Sequence, residues 1–308
     1  MIYGVIDIGS NTIRLSIYKA ENTKDIQLLL HKKNMASLAN HIEDKRLTAK
    51  GQRIAANVLC NFKSILDNFA IKNVHVFGTA SLRNIINTEE VVRYLEQISG
   101  FKIDVISGEE EAVLDFVGAA HALSIDEGIL IDMGGASTEF VEYKDAQIVS
   151  TRSLDFGSLF LYKHFVSNLL PLPEEVQKIK DYVRRLLEKE WPVKKTAYPV
   201  ICGIGGTIRS VNKLDNELFE LDDNNKEILT CHLKKILKKM NKNEKSTLNV
   251  LLQVAPDRIR TILPGLIALE VCSSYFQSEK ILVSSYGVRE GYLYHKILKK
   301  VKENECRH

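Results

Sequence analysis

Two short segments of the chain hold residues whose types and spacing can do chemistry. In Asp7-Ile8-Gly9-Ser10-Asn11-Thr12-Ile13-Arg14, a carboxylate, a glycine and three small polar residues fall within eight positions of a basic one. Glycine lets the backbone turn tightly and present N–H groups to an anion. Ser10, Asn11 and Thr12 add donors, and Asp7 is a candidate to hold a metal ion or its water. The turn leads into a strand, and GxxxxGK[ST] is absent, so this is not a Walker loop. The second segment is Asp132-Met133-Gly134-Gly135-Ala136-Ser137-Thr138-Glu139. Asp132 and Glu139 stand seven positions apart across a Gly-Gly turn, so in a hairpin both reach a metal near the loop. Mg²⁺ takes one or two carboxylates together with waters and substrate phosphates. A plain hairpin turn would account for one such segment alone; two with the same grammar, 125 residues apart, call for more.

Three further segments are weaker candidates. Ser107-Gly108-Glu109-Glu110-Glu111-Ala112 sets three acids at a strand-to-helix junction. Complementing the helix dipole explains one or two of them. A remaining carboxylate could orient or deprotonate water, and residue chemistry alone does not choose among the three. Arg83, in Thr79-Ala80-Ser81-Leu82-Arg83-Asn84, offers a planar fork to phosphate oxygens or forms a surface ion pair. Gly203-Ile204-Gly205-Gly206-Thr207 reads as a strand, a glycine turn and a helix start, which suits a nucleotide phosphate or simply close packing. No HxH, HExxH or GxSxG spacing occurs, so no metal is assigned to histidine and no nucleophilic serine is expected.

The elements that must carry these residues alternate strand and helix. Strands are predicted at 2–7, 12–18, 74–78 and 103–106, and helices at 47–69, 88–98 (with Thr88 as N-cap) and 109–123. The pattern then restarts, with strands at 128–132, 137–143, 147–154, 199–204 and 280–283, a mostly helical stretch over 227–276, and a last helix over 288–302. The restart at Asp132 suits duplication of a whole domain. The expected architecture is α/β: two duplicated lobes, 1–123 and 124–295, with a helix near 296–308 packing back on the first and a cleft between the lobes.

Composition is ordinary for a globular protein: 308 residues, 45% hydrophobic, 26% charged, net charge +3. The five cysteines form no CxxC pair and are read as reduced thiols. No apolar run of membrane-spanning length and no secretion signal are seen, so a cytoplasmic protein without membrane or nucleic-acid partners is expected. Lysines crowd one segment (Lys234, Lys235, Lys238, Lys239, Lys242, Lys245) and the C-terminus (Lys299, Lys300, Lys302, with Arg307). Such a face either tracks a polyanion or is merely solvated.

Together these segments resemble the exopolyphosphatase / guanosine pentaphosphate phosphohydrolase (Ppx/GppA) family, of the actin–hexokinase–sugar kinase superfamily with ribonuclease H-like lobes. The matching segments are DIGSNTIRL at 7–15, GTASLRNIIN at 78–87, SGEEEA at 107–112, IDMGGASTEF at 131–140, GIGGT at 203–207, PDRIRTILPG at 256–265 and VSSYGVREG at 283–291, in order over nearly the whole chain. The resemblance implies a short two-domain member without the C-terminal helical domain of longer ones. It implies Glu111 as the catalytic glutamate that activates water, and Asp132 and Glu139 as carboxylates of metal binding and catalysis, with Mg²⁺ (or Mn²⁺) as cofactor. Gly9, Ser10, Asn11, Gly134, Gly135, Ser137 and Thr138 match the phosphate-holding loops, with Arg14 and Arg83 near the phosphates. Gly205, Gly206 and Thr207 remain candidates for nucleotide or phosphate, and Asp7 for metal. Ala136 replaces a common glycine, Asn84 and Arg260 replace frequent aspartates, and none of the three removes a catalytic group.

The function this implies is release of terminal orthophosphate from inorganic polyphosphate. The alternatives are a guanosine penta-/tetraphosphate 5′-phosphohydrolase, an ATP-dependent kinase of the superfamily, and a non-catalytic actin-like polyanion-binding regulator. A homodimer is left open.

Overall fold

The computed structural model describes residues 1–21, 25–123, 126–192, 197–240 and 244–299. Lys242, Cys306 and the basic residues Lys300, Lys302 and Arg307 lie outside the described residues. The chain divides into two compact units, Met1–Gly118 with the residues from Val288 onward, and Ala119–Gly287.

The first unit is built on a five-stranded sheet. Strands β1 (Ile2–Ile8), β2 (Ile13–Ala20) and β3 (Ile26–Asn34) form an antiparallel meander. A two-residue hairpin, β4 (Ile42–Glu43) and β5 (Arg46–Leu47), precedes helix α1 (Ala49–Asn68). Strand β6 (Val74–Gly78) runs parallel to β1, and β7 (Ile103–Val105) parallel to β6, giving the order β3-β2-β1-β6-β7. Helix α1 makes the crossover to β6, helices α2 (Ala80–Arg83) and α3 (Thr88–Ser99) make the one from β6 to β7, and α4 (Gly108–Ala122) follows β7. Leu59, Phe62 and Leu66 of α1 bury an apolar stripe in the same core as Ile6, Ile8 and Leu15. Full burial of each such side chain contributes about 1.5–3 kcal/mol.

The second unit repeats this plan. Strands β8 (Gly128–Met133), β9 (Thr138–Lys144) and β10 (Gln147–Leu154) form the meander. Helices α5 (Ser158–Phe165) and α6 (Pro173–Glu190) lead to β11 (Val200–Ile204), which lies parallel to β8. Helix α7 (Gly205–Leu218), strand β12 (Glu227–Leu229) and helices α8 (Thr230–Met240), α9 (Glu244–Val254) and α10 (Ile259–Tyr275) precede β13 (Lys280–Val283). The order is β10-β9-β8-β11-β13-β12, the first sheet's order with one antiparallel strand added at the far edge. Each unit is thus a ribonuclease H-like lobe, the duplicated actin-like architecture expected from the sequence.

Several expectations need correction. The nine-residue strand β3 lies at a sheet edge and is half-exposed or exposed throughout, so it shows no buried face and no alternation to read. The stretch expected to be mostly helical opens with β12, whose three residues are too few for a periodic signal. Asn87, not Thr88, is the N-cap of α3; the Thr88 hydroxyl donates to the Leu82 and Ile85 carbonyls and holds the preceding turn.

The last helix joins the first unit from Val288, not from about 296. It comprises α11 (Val288–Tyr292) and a π-helical stretch, Leu293–Leu298. Glu290 accepts a hydrogen bond from the Tyr18 hydroxyl, Tyr292 stacks on Phe77 with centroids 4.7 Å apart, and Gly291 meets the Leu114 carbonyl so closely that a Cβ would fall 1.8 Å from it.

Candidate active site

Both Asp-Gly turns stand at the C-terminal end of the first strand of their sheet, where open α/β sheets hold ligands. Their geometry is shared. Gly9 N–H donates to Thr12 O at 3.2 Å, and Gly134 N–H to Ser137 O at 3.0 Å. A Cβ on Gly9 would sit 2.9 Å from Thr12 O, which selects glycine there, and one on Gly134 would sit 3.1 Å from Ser137 O, a tight fit. Ala136 keeps an ordinary negative φ, which explains why alanine is tolerated beside it.

In each unit a helix start caps the turn from behind. Ser37 and Ala39, at the 3₁₀ helix Leu38–His41, donate their amides to Asn11 O (2.8 Å) and Ser10 O (3.0 Å). At α5, Ser158 N–H donates to Gly134 O and Leu159 N–H to Gly135 O, both at 3.0 Å. Gly157 allows this approach, since a Cβ there would lie 2.5 Å from the Gly135 carbonyl carbon. With the turn carbonyls held this way, the amides of Ser10, Asn11, Gly135 and Ala136 have no protein acceptor among the described residues. Successive unspent N–H groups of this kind form an anion-binding nest.

In the first unit the turn is electrically paired. Asp7 and Arg14 are cross-strand partners, and the guanidinium donates to Asp7 Oδ2 at 3.4 Å. Burial raises the Asp7 carboxyl above the usual range; Arg14 and Arg289 oppose that shift and Glu290 adds to it. Arg83 lies on α2, just past the end of β6, and Glu111 in the first turn of α4, just past the end of β7. The C-terminal ends of these parallel strands bring them together: Arg83 Nη1 donates to Glu111 Oε2 at 2.8 Å and to Ile106 O at 3.1 Å. Of the three acids at this junction, Glu111 is the buried one, 7% exposed, and the structure places Arg83 on it.

In the second unit the same cross-strand position holds two acids: Asp132 faces Glu139. Glu139 is 1% exposed and accepts from the hydroxyls of Ser137 (2.7 Å) and Ser153 (2.9 Å). Like charges placed directly opposite on a sheet are destabilising unless a cation joins them. Two facing carboxylates beside unspent turn amides fit a divalent ion that keeps its other positions for waters and phosphate oxygens. Thr138 is fully buried, and its hydroxyl donates to Phe156 O at 2.6 Å, so that side chain anchors the strand after the turn.

The Gly203–Thr207 turn closes on this acid pair. Gly205 has φ of 93°, and a Cβ there would sit 2.2 Å from Asp132 Oδ1. Both the conformation and the contact therefore require glycine. At Gly206 a Cβ would meet Arg258 Nη2 at 2.1 Å, so the end of the Arg258 guanidinium lies against the start of α7. Thr207 Oγ1 pairs with Ser158 Oγ at 3.0 Å, and Ser158 Oγ also donates to Gly134 O at 3.2 Å. This ties Gly205, Gly206 and Thr207 to the second turn. The sequence reading missed Arg258 and Ser158. Arg258 lies inside the PDRIRT segment, where Arg260 drew attention instead; Arg260 is exposed and sits over the Tyr162 ring, 5.9 Å from its centroid.

The chain resembles known proteins over nearly its whole length. The model of the Ppx/GppA phosphatase family matches residues 16–300. A putative exopolyphosphatase of Haemophilus influenzae is 27% identical over 94% of this chain and 89% of its own length. The crystal structure of the Aquifex aeolicus member of the Ppx/GppA family superposes with a TM-score of 0.80 at 26% identity, covering 97% of this chain and 98% of that one. An exopolyphosphatase from Cytophaga hutchinsonii shares the fold, with a TM-score of 0.84 at 23% identity over 97% of this chain and 98% of that one. Among the described residues, no helix is long and apolar enough to cross a membrane. With a family model that covers nearly its whole length, the chain belongs to the Ppx/GppA phosphatase family.

Proposed function

We propose that this phosphatase releases terminal orthophosphate from inorganic polyphosphate by metal-assisted attack of water. The observation that carries the reading is the facing pair Asp132 and Glu139 beside unspent turn amides, because it joins a cation site to a phosphate site. A divalent cation held there, Mg²⁺ or Mn²⁺, would neutralise charge on the phosphate oxygens. The amides of Gly135 and Ala136 would orient phosphate oxygens beside that cation, and the first turn offers Ser10, Asn11 and Arg14 as donors of its own. Glu111, fixed by Arg83, orients the attacking water and takes its proton as the water oxygen bonds to the terminal phosphorus. The bridging oxygen departs with the shortened chain. Catalysis of this kind rests on positioning and electrostatics.

Helix α8 supports polyphosphate over a guanosine polyphosphate. It buries Leu233, Ile236, Leu237 and Met240 and exposes Lys234, Lys235, Lys238 and Lys239. Lysines spaced i, i+4 repel one another unless an anion lies across them. The nearest carboxylate to Lys234 is Glu270, at 3.9 Å. Thr230, at the start of α8, bonds to Ser278 O beyond the end of α10, while Met240 shares a cavity wall with Leu263 near the start of α10. The lysine row therefore runs toward the end of the unit where Arg258 covers Gly206, as a long anion entering that end would require. The runner-up, a guanosine pentaphosphate 5′-phosphohydrolase, draws on the same glycine turn and Arg258.

Phosphate release should be compared among long-chain polyphosphate, tripolyphosphate and guanosine pentaphosphate. Long-chain polyphosphate is the expected best substrate, and Glu111→Gln should lower its turnover by about 10³-fold with folding intact. Preference for the guanosine compound would transfer the assignment to the runner-up. Near-normal turnover by the Glu111 variant would remove the catalytic role given to it.

A further inference from the structure

We propose that Lys296, on the last helix, is a positioning residue that sets the catalytic end of α4 through Glu110; this rests on Glu111 being the water-activating group. Successive residues of an α-helix point about 100° apart, so Glu110 and Glu111 cannot share one cation. The structure supplies two. Arg83 holds Glu111 at 2.8 Å, and Lys296 Nζ holds Glu110 Oε1 at 2.5 Å. The same ammonium reaches Asp104 Oδ2 of β7 at 2.7 Å, and the Tyr292 hydroxyl donates to that oxygen at 3.1 Å. One lysine thus fastens the strand before α4 to the first turn of α4, using a helix that begins about 180 residues later in the chain.

The local backbone is shaped for this contact. Lys296 lies in the π-helical stretch Leu293–Leu298, where the Lys299 amide donates to Tyr294 O across a wider turn. Such turns are less favourable than α-helix and recur where a side chain must be placed for function. Tyr292 and Lys296, four residues apart, share one face of this helix, with Nζ 5.2 Å from the Tyr292 ring centroid. A single ion pair this exposed stabilises little, since Lys296 is 22% exposed, Asp104 43% and Glu110 37%. Burial works against the ammonium, but Asp104 and Glu110 together outweigh it and hold Lys296 above its usual range. Three charges locked from three elements determine an orientation better than they stabilise a fold. These residues also line a cavity of about 580 Å³ with His75, Val113 and His295, so packing alone does not fill the space beside the α4 start.

The test is steady-state phosphate release by the full chain, with melting temperatures taken alongside. Lys296→Met should lower kcat about tenfold and leave KM within about twofold, as for a misaligned catalytic group. Lys296→Arg should recover most of the rate, and Lys296→Met should cost nothing further in a Glu110→Gln background. An unchanged kcat in Lys296→Met, whatever the melting temperature does, would overturn the proposal. So would losses that multiply in the double variant. Glu111→Gln run in parallel separates the two readings: if it is inactive while Lys296→Met is normal, only the positioning role fails, and if it is active, both fail.

Discussion

Opposite the first aspartate of each turn the two units differ: Arg14 faces Asp7, whereas Glu139 faces Asp132. The rest of the two turns is nearly superimposable in kind, with the same Gly amide bonded three residues on and the same capping by a helix start. One difference of charge at one cross-strand position therefore separates an acid–base pair in the first unit from an acid–acid pair in the second. The burial of the aspartates follows. Asp7 is 4% exposed and already paired, while Asp132 is half-buried, with Gly205 pressed against it. The duplicated turn thus keeps its backbone hydrogen bonds in both units while its cross-strand charge partner changes sign.

The sharpest way to break this contrast is at the acid pair. Asp132→Asn preserves shape and removes one of the two facing charges, so metal-dependent phosphate release should fall by about 10³-fold. Initial rates across a Mg²⁺ titration measure it, and excess metal should recover part of the loss. An unaffected rate would mean that the pair has no catalytic part. The matching change in the first unit is Arg14→Gln. It should raise KM about tenfold with a smaller change in kcat, because a donor to bound phosphate is lost. It should also lower the melting temperature, since Asp7 would lose the guanidinium that offsets its burial; adding Asp7→Asn should restore the melting temperature but not KM.

The smallest expected effect comes from Asp7→Asn alone. Burial raises the folded-state pKa of Asp7 above its unfolded value of about 3.9. The contribution of this group to stability is therefore whole below about pH 3.9 and declines as pH climbs through the higher folded value. In chelator, Asp7→Asn should melt higher than the parent at neutral pH, and the gain should shrink toward pH 4. Equal or lower melting at neutral pH would show that Arg14 and Arg289 compensate fully for the burial of Asp7.

Much of this site was legible residue by residue. Asp7, Gly9, Asp132, Gly134 and Glu139 declare themselves because turn chemistry is local, and a glycine between a strand-ending aspartate and small polar residues has few other uses. The choice of Glu111 among three acids came from family resemblance; in the structure it is the buried one, on Arg83. Arg258 and Lys296 went unread because neither stands in a local pattern. One acquires its meaning from Gly206, about 50 residues before it, and the other from Glu110 and Asp104, nearly 190 before it.

The sequence by itself determined the two repeated strand–turn–strand units, their order and their chemistry, because hydrophobic alternation and glycine turns act over a handful of neighbouring residues. Tertiary structure alone decided that the helix from Val288 belongs to the first unit, that β3 and β12 are edge strands, and which cation holds which carboxylate. Those outcomes depend on the packing of segments far apart in the chain, where burial and charge pairing are settled only once the sheets have formed.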